Sequence, residues 1–125
     1  MTGTGPPVRV VVVDDQTPFR RAARAVIGAT SGFELIAEAE SGEEAVELAR
    51  WLEPDLVLID IHMPGIGGVE ASRRIASPGN GVITVLLSSY REEDVPEEAH
   101  SCGATAYVHK EDFGPRVLRA LGSSH

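Results

Sequence analysis

Apolar residues along this chain come in two rhythms. Val8 to Val13, Leu56 to Ile59 and Val82 to Leu87 are short, almost unbroken runs with the texture of parallel strands covered on both faces. Two further runs of strand length are mixed: Phe33 to Ala39 carries Glu34 and Glu38, and Ala104 to His109 is half polar. Between the runs, apolar residues recur at helical spacing. Phe19, Ala22, Ala23, Val26 and Ile27 form one stripe, with Thr17 as the expected cap, Pro18 at the first position, Gly28 at the end, and Arg20, Arg21 and Arg24 falling mostly on the wet side. Ala45, Val46, Leu48, Ala49 and Leu52 form a second stripe behind Ser41-Gly42-Glu43-Glu44, which reads as a capping box. Gly67-Gly68 opens a third helix through Val69, Ser72 and Ile75, ended by Ser77-Pro78-Gly79. A last helix is expected from Pro115, carrying Val117, Leu118 and Leu121.

The stretch from Glu92 to Ser101 is polar and weakly patterned, and Pro96 falls inside it. Proline removes an amide and clashes with the preceding turn, at a cost of about 3 kcal/mol inside a helix. The fourth helix is therefore expected to start at Pro96 and to end before Gly103, which makes it short and dependent on packing.

Strands that alternate with helices imply a parallel sheet with helices on both faces, because right-handed crossovers leave little other topology. The two mixed strands, second and fifth, belong at the edges. That selects an α/β, doubly wound, five-stranded sheet of order 2-1-3-4-5 with five flanking helices, the flavodoxin-like arrangement.

Composition changes this picture little. With 125 residues, 42% of them hydrophobic, the chain fits one domain. A Gly/Pro-rich tail over residues 1–7 is expected to be disordered, and residues 123–125 are a tail or the start of a linker. No apolar stretch approaches the roughly 18 residues of a membrane span, and the amino terminus has no signal-like core, so the expected location is the cytoplasm, with no membrane contact. Cys102 is the single cysteine and reads as a packed small residue. The formal charge of -8 argues against direct nucleic-acid binding by this domain. Ten of the eleven basic residues are arginine, so the lone Lys110 marks a place where a compact ammonium is wanted.

The chemistry gathers at strand ends. The first strand runs into Asp14-Asp15-Gln16, and the third ends at Asp60 before Ile61-His62-Met63-Pro64-Gly65. In the expected order these strands are neighbours, so Asp14, Asp15 and Asp60 converge at the carboxyl edge of the sheet, where open α/β folds bind ligands. Ser88 and Lys110 arrive at the same rim from the fourth and fifth strands. Carboxylates so close repel one another unless a cation sits among them, and oxygen ligands without His or Cys favour Mg²⁺, with Mn²⁺ as a substitute. Metal, ammonium and hydroxyl around a carboxylate are equipment for accepting a phosphoryl group, with Asp60 as nucleophile and Lys110 and Ser88 assisting.

These motifs resemble the response-regulator receiver domain of two-component signalling from about Val8 to Leu121, and set the domain at residues 8–122. The resemblance rests on Asp14-Asp15, the segment from Ile59 to Gly65, Ser88, the aromatic Tyr107 three residues before Lys110, and Lys110 itself. It implies that Asp15 and Asp60 bind Mg²⁺ directly, that Asp14 does so largely through water, and that His62 lends its backbone carbonyl. Amides near His62 and Ser89 would hold phosphoryl oxygens. It also implies a sensor histidine kinase as phosphodonor, Ser88 and Tyr107 as switch residues, and homodimerisation on phosphorylation as an option. His62 and Tyr90 would flank the path of water to the acyl phosphate and shield it. Receivers of this kind catalyse their own phosphotransfer and autodephosphorylation and are not turnover enzymes.

Glu111, where most receivers have proline, resembles the subfamily with a helix-turn-helix output domain of the quorum-sensing and nitrate-response type, and Asp14-Asp15-Gln16 followed by Pro18-Phe19-Arg20 points the same way. A DNA-binding output domain and control of transcription are thus expected, and the chain reads as a receiver cut from a longer regulator, with a stand-alone receiver as the alternative. Three other classes fit less well. A phosphorylation-independent receiver tends to lose an acid or the lysine, and none is lost. An aspartate-dependent phosphatase wants a second acid where His62 stands, and a flavin or nucleotide binder wants a glycine-rich turn where the chain has Asp14-Asp15-Gln16-Thr17-Pro18.

Overall fold

The computed structural model describes residues 5–76, 81–89, 97–100 and 102–122. Five strands, β1 (Val8–Val13), β2 (Phe33–Ala39), β3 (Leu56–Asp60), β4 (Ile83–Ser88) and β5 (Ala106–His109), form one parallel sheet of order β2-β1-β3-β4-β5. The helices are α1 (Thr17–Ala29), α2 (Gly42–Leu52), α3 (Gly67–Ile75) and α4 (Pro115–Gly122). The mixed strands are the two edges, as their glutamates and half-polar sequence require. This is the doubly wound, flavodoxin-like sheet expected.

Strand alternation divides the apolar residues between two layers. Val10, Val12, Leu56, Leu58, Val85 and Leu87 pack with Ala23 and Ile27 of α1 and Leu118 of α4. Val11, Val13, Val57, Ile59 and Leu86 pack with Ala45 of α2 and Ile75 of α3. All five residues of β3 are buried, so the central strand has no solvent face. Removing a Val or Leu side chain from water is worth roughly 1.5–3 kcal/mol, so these interleaved runs hold the sheet's register.

Three local expectations are corrected. Gln16, and not Thr17, occupies the cap position of α1, and no side chain caps the helix. The Thr17 hydroxyl accepts instead from the Arg20 guanidinium at 3.3 Å. At α2 the Ser41 hydroxyl accepts from the Glu44 amide at 3.1 Å, while the Glu44 carboxylate reaches one residue further back than a standard box, to the Glu40 amide at 2.9 Å. The fourth of the five expected helices is not an α-helix among the described residues: Glu97–His100 forms a 3-10 turn. Ala99 is the one apolar residue of this turn, so no apolar stripe runs along its described residues to propagate α-helix. The start expected at Pro96 lies outside the described residues, as do positions 1–4 and 123–125 of the expected tails.

Candidate functional site

Asp14 and Asp60 continue the alternation of Val12 and Leu58, so each points to the α1–α4 side just past the last buried aliphatic of its strand. Asp14 is fully buried and Asp60 nearly so. Asp15 follows in the turn and is partly exposed. Carboxylate oxygens of all three lie within 4.8 Å of one another. Lys110 is the first residue of a 3-10 turn, Lys110–Asp112, whose start is pinned by the Glu111 amide donating to His109 Nδ1 at 3.2 Å. Its Nζ is 2.5 Å from Asp14 Oδ2 and 3.2 Å from Asp60 Oδ1. Three carboxylates against one ammonium leave an excess of about two negative charges, which suits a divalent cation held by hard oxygen ligands.

The electrostatics follow from this crowding. Burial, then the charge of Asp14, pushes the Asp60 carboxyl above the ordinary aspartate value, against the pull of Lys110. Burial alone would push the Lys110 ammonium down; its contact with Asp14 and the charges of Asp60 and Asp14 outweigh that and hold it above the usual lysine value. Lys110 is therefore a fixed cation at neutral pH. Asp14 spends both oxygens inside the protein, Oδ1 accepting from the Gln16 amide at 2.8 Å and Oδ2 facing Lys110.

Of the remaining predicted residues, Ser88 and His62 stand at the carboxyl edge of the sheet and Tyr107 lies within β5. Ser88 is fully buried at the end of β4, one residue past Leu87, the register partner of Asp60. Tyr107 on β5 is partly buried against the α2–α3 layer, in register with Leu86. By alternation Ser88 and Tyr107 therefore share one face of the sheet, opposite to Asp14, Asp60 and Lys110. His62 is exposed in the turn after β3. Tyr90 lies outside the described residues.

Sequence reading missed three contributors. Phe19 packs under the lysine, its ring centroid 4.8 Å from Nζ, and is backed by Phe113 at 6.0 Å between centroids. Gly68 lets α3 begin against the Asp60–Ile61 backbone: a Cβ there would sit 2.0 Å from the Asp60 carbonyl oxygen. Two adjacent glycines at a helix start were the available sign of such a close approach. Arg20 turns inward, its side chain only 12% exposed, and donates to the Asp14 carbonyl at 2.6 Å. The sign there was a cation in a helix's first turn, where the dipole disfavours it.

Residues 10–121 match the family described as response regulator receiver domain. The chain belongs to that family. This receiver is 36% identical over 103 residues to response regulator GacA of Pseudomonas viridiflava, covering 82% of this chain and 48% of that protein. It is 35% identical over 114 residues to transcriptional regulatory protein DegU of Brevibacillus brevis, covering 91% and 48%. The receiver thus spans about half the length of the curated relatives it matches. Its fold superposes on the signal receiver domain of the response regulator NarL from Mycobacterium tuberculosis with a TM-score of 0.87 at 27% identity, covering 96% of this chain and 97% of that one. These matches agree with the subfamily suggested by Glu111 and Asp14-Asp15-Gln16. Among the described residues no helix is long and apolar enough to cross a membrane.

Proposed function

We propose that this receiver takes a phosphoryl group onto Asp60 from a sensor histidine kinase and passes the change to a DNA-binding output domain that controls transcription. The observation that carries the reading is the convergence of Asp14, Asp15 and Asp60 within 4.8 Å, with the Lys110 ammonium 3.2 Å from the Asp60 oxygen. In the transfer, an Asp60 oxygen forms a bond to phosphorus as the bond from phosphorus to the donor's nitrogen or oxygen breaks, and the leaving atom takes up a proton. Mg²⁺, or Mn²⁺ in its place, would supply charge neutralisation on the phosphoryl oxygens.

The chain's own residues divide the rest. Asp15 and Asp60 would hold the metal, joined by the His62 carbonyl. Asp14, with both oxygens engaged, acts through water and fixes Lys110. Lys110 leaves its pairing with Asp14 to hold the transferred group, Ser88 donates to it, and Tyr107 follows Ser88 inward. Two added charges bias the packing toward whichever arrangement holds them better. His62 and Tyr90 shield the acyl phosphate from water. The domain extends over residues 8–122, acts in the cytoplasm, does not itself contact nucleic acid, can dimerise when phosphorylated, and performs no turnover on an external substrate.

Mass spectrometry after exposure to acetyl phosphate tests the assignment. One phosphoryl group is expected on Asp60 with Mg²⁺ present, and none with chelator or in Asp60→Asn. Undiminished labelling of Asp60→Asn would refute it.

A further inference from the structure

We propose that Arg20 is a positioning residue for the metal-binding turn, holding the Asp14–Asp15 backbone from behind through a bridge between α1 and β2. The inference rests on the reading of the acid cluster as a divalent-cation site.

The guanidinium of Arg20 is wedged where the turn meets the edge of the sheet. One nitrogen donates to the Asp14 carbonyl at 2.6 Å, and another donates to the Thr17 hydroxyl at 3.3 Å. Its Nε lies 3.4 Å from Glu38 Oε1, and a terminal nitrogen lies 3.8 Å from Glu40 Oε2. Glu38 is in turn gripped by Arg24 through two bonds, at 2.8 and 3.1 Å. Arg24 and the neighbouring Arg20 hold the Glu38 carboxyl below the usual glutamate range, with the Arg24 hydrogen bond contributing most, so Glu38 stays an anion. From the front, the Asp14 amide donates to the Ala39 carbonyl at 3.0 Å, and its side chain is tied to the Gln16 amide. The peptide that joins Asp14 to Asp15 is therefore clamped on its carbonyl side by a partly buried cation.

The arrangement runs against simple electrostatics. A fixed cation behind a metal site repels the metal, and a cation in a helix's first turn faces the positive end of the helix dipole. A planar fork that bonds a carbonyl and a carboxylate at once is geometry that lysine cannot copy. Positioning therefore predicts a change of opposite sign to that of charge. Removing the guanidinium relieves the repulsion but frees the turn; groups that orient metal ligands from behind typically cost tenfold or more in metal affinity when lost.

Calorimetric titration of the whole chain with Mg²⁺ tests this, together with amide exchange of Asp14 and Gln16 in metal-free protein. Arg20→Met is expected to bind Mg²⁺ about tenfold more weakly and to exchange the Gln16 amide faster than the wild type. Arg20→Lys, which keeps the repelling charge but loses the fork, is expected to bind Mg²⁺ no more tightly than Arg20→Met, and decides the matter if Arg20→Met does not fold. Arg24→Met, which leaves the bond to Asp14 intact, is expected to bind at least as tightly as the wild type. Wild-type or tighter affinity in Arg20→Met, or in Arg20→Lys where that variant has to decide, overturns the proposal. A loss in Arg24→Met equal to that in Arg20→Met also overturns it, because it would trace the effect to general weakening of the α1–β2 contact. A wild-type chain that fails to bind Mg²⁺ overturns the site reading itself, a result distinct from either.

Discussion

The β4–β5 half of the sheet is covered very differently on its two faces. On one face α4 lays the fully buried Leu118 against Val85 and Leu87, with Phe113 and Phe19 continuing the layer up to Lys110. On the other, α3 brings Ile75 to the layer that holds Leu86 of β4, and among the described residues further along that layer the buried side chains from the 3-10 turn Glu97–His100 and just after it are the small Ala99 and Cys102. The first face carries Lys110 and, on the neighbouring strands β3 and β1, Asp60 and Asp14; the second carries Ser88 and Tyr107. Groups whose spacing must stay constant sit over deep packing, and groups that would have to move sit where less apolar contact is lost by moving. Local stability follows buried contact, so rearrangement is cheaper on the second face.

The largest expected break in this comparison is Leu118→Ala, which leaves a cavity under α4 and should cost about 2–5 kcal/mol in urea unfolding. Cys102→Ala on the opposite face should cost about 1 kcal/mol or less, since roughly one methylene equivalent is lost. Equal costs would show that the two faces are equally consolidated.

Next is Gly68→Ala. The new Cβ has no room beside the Asp60 carbonyl, so either α3 or Asp60 must shift, at about 1–3 kcal/mol. Phosphoryl uptake from acetyl phosphate should fall far more than stability does. Unchanged uptake would mean that α3 yields and Asp60 stays in place.

Smaller effects separate the two carboxylates by sign. The Asp60 pKa is raised, so the folded state binds its proton more tightly than the unfolded chain, and the ionised carboxylate works against folding once pH exceeds the ordinary aspartate value. Asp60→Asn should therefore raise the melting temperature at neutral pH in metal-free buffer, with the gain shrinking as pH falls through the carboxylate range. A lower melting temperature at neutral pH would show that the pairing with Lys110 outweighs burial. Glu38 has the opposite sign: its pKa is lowered, so its contribution is present above the ordinary glutamate value and lost as pH falls. Glu38→Gln should give a slight destabilisation at neutral pH that vanishes in acid, seen in the same melts. It should be the smallest of these effects, because the pair is near the surface.

Much of this was legible in the chain itself. Aliphatic runs that end in Asp14-Asp15 and Asp60, edge strands marked by Glu34, Glu38 and a half-polar fifth run, and the Ser41 cap are local or nearest-neighbour facts, and strand order follows from them once crossovers are right-handed. Tertiary structure decided what depends on distance between segments remote in sequence. Lys110 could have faced Asp60 alone, yet it also pairs with Asp14 across 96 positions of chain. Arg20, which periodicity assigned to solvent, turned inward because a buried carbonyl and two glutamates of the adjacent edge lay within its reach. Gly68 met the Asp60 backbone at a distance that only packing sets, and the described part of the polar fourth segment, with Ala99 as its one apolar residue, took a 3-10 turn. Propensity and periodicity are properties of neighbours along the chain. The placement of a buried charge is set by which partners the fold brings within bonding distance, and that is known only once the segments are packed.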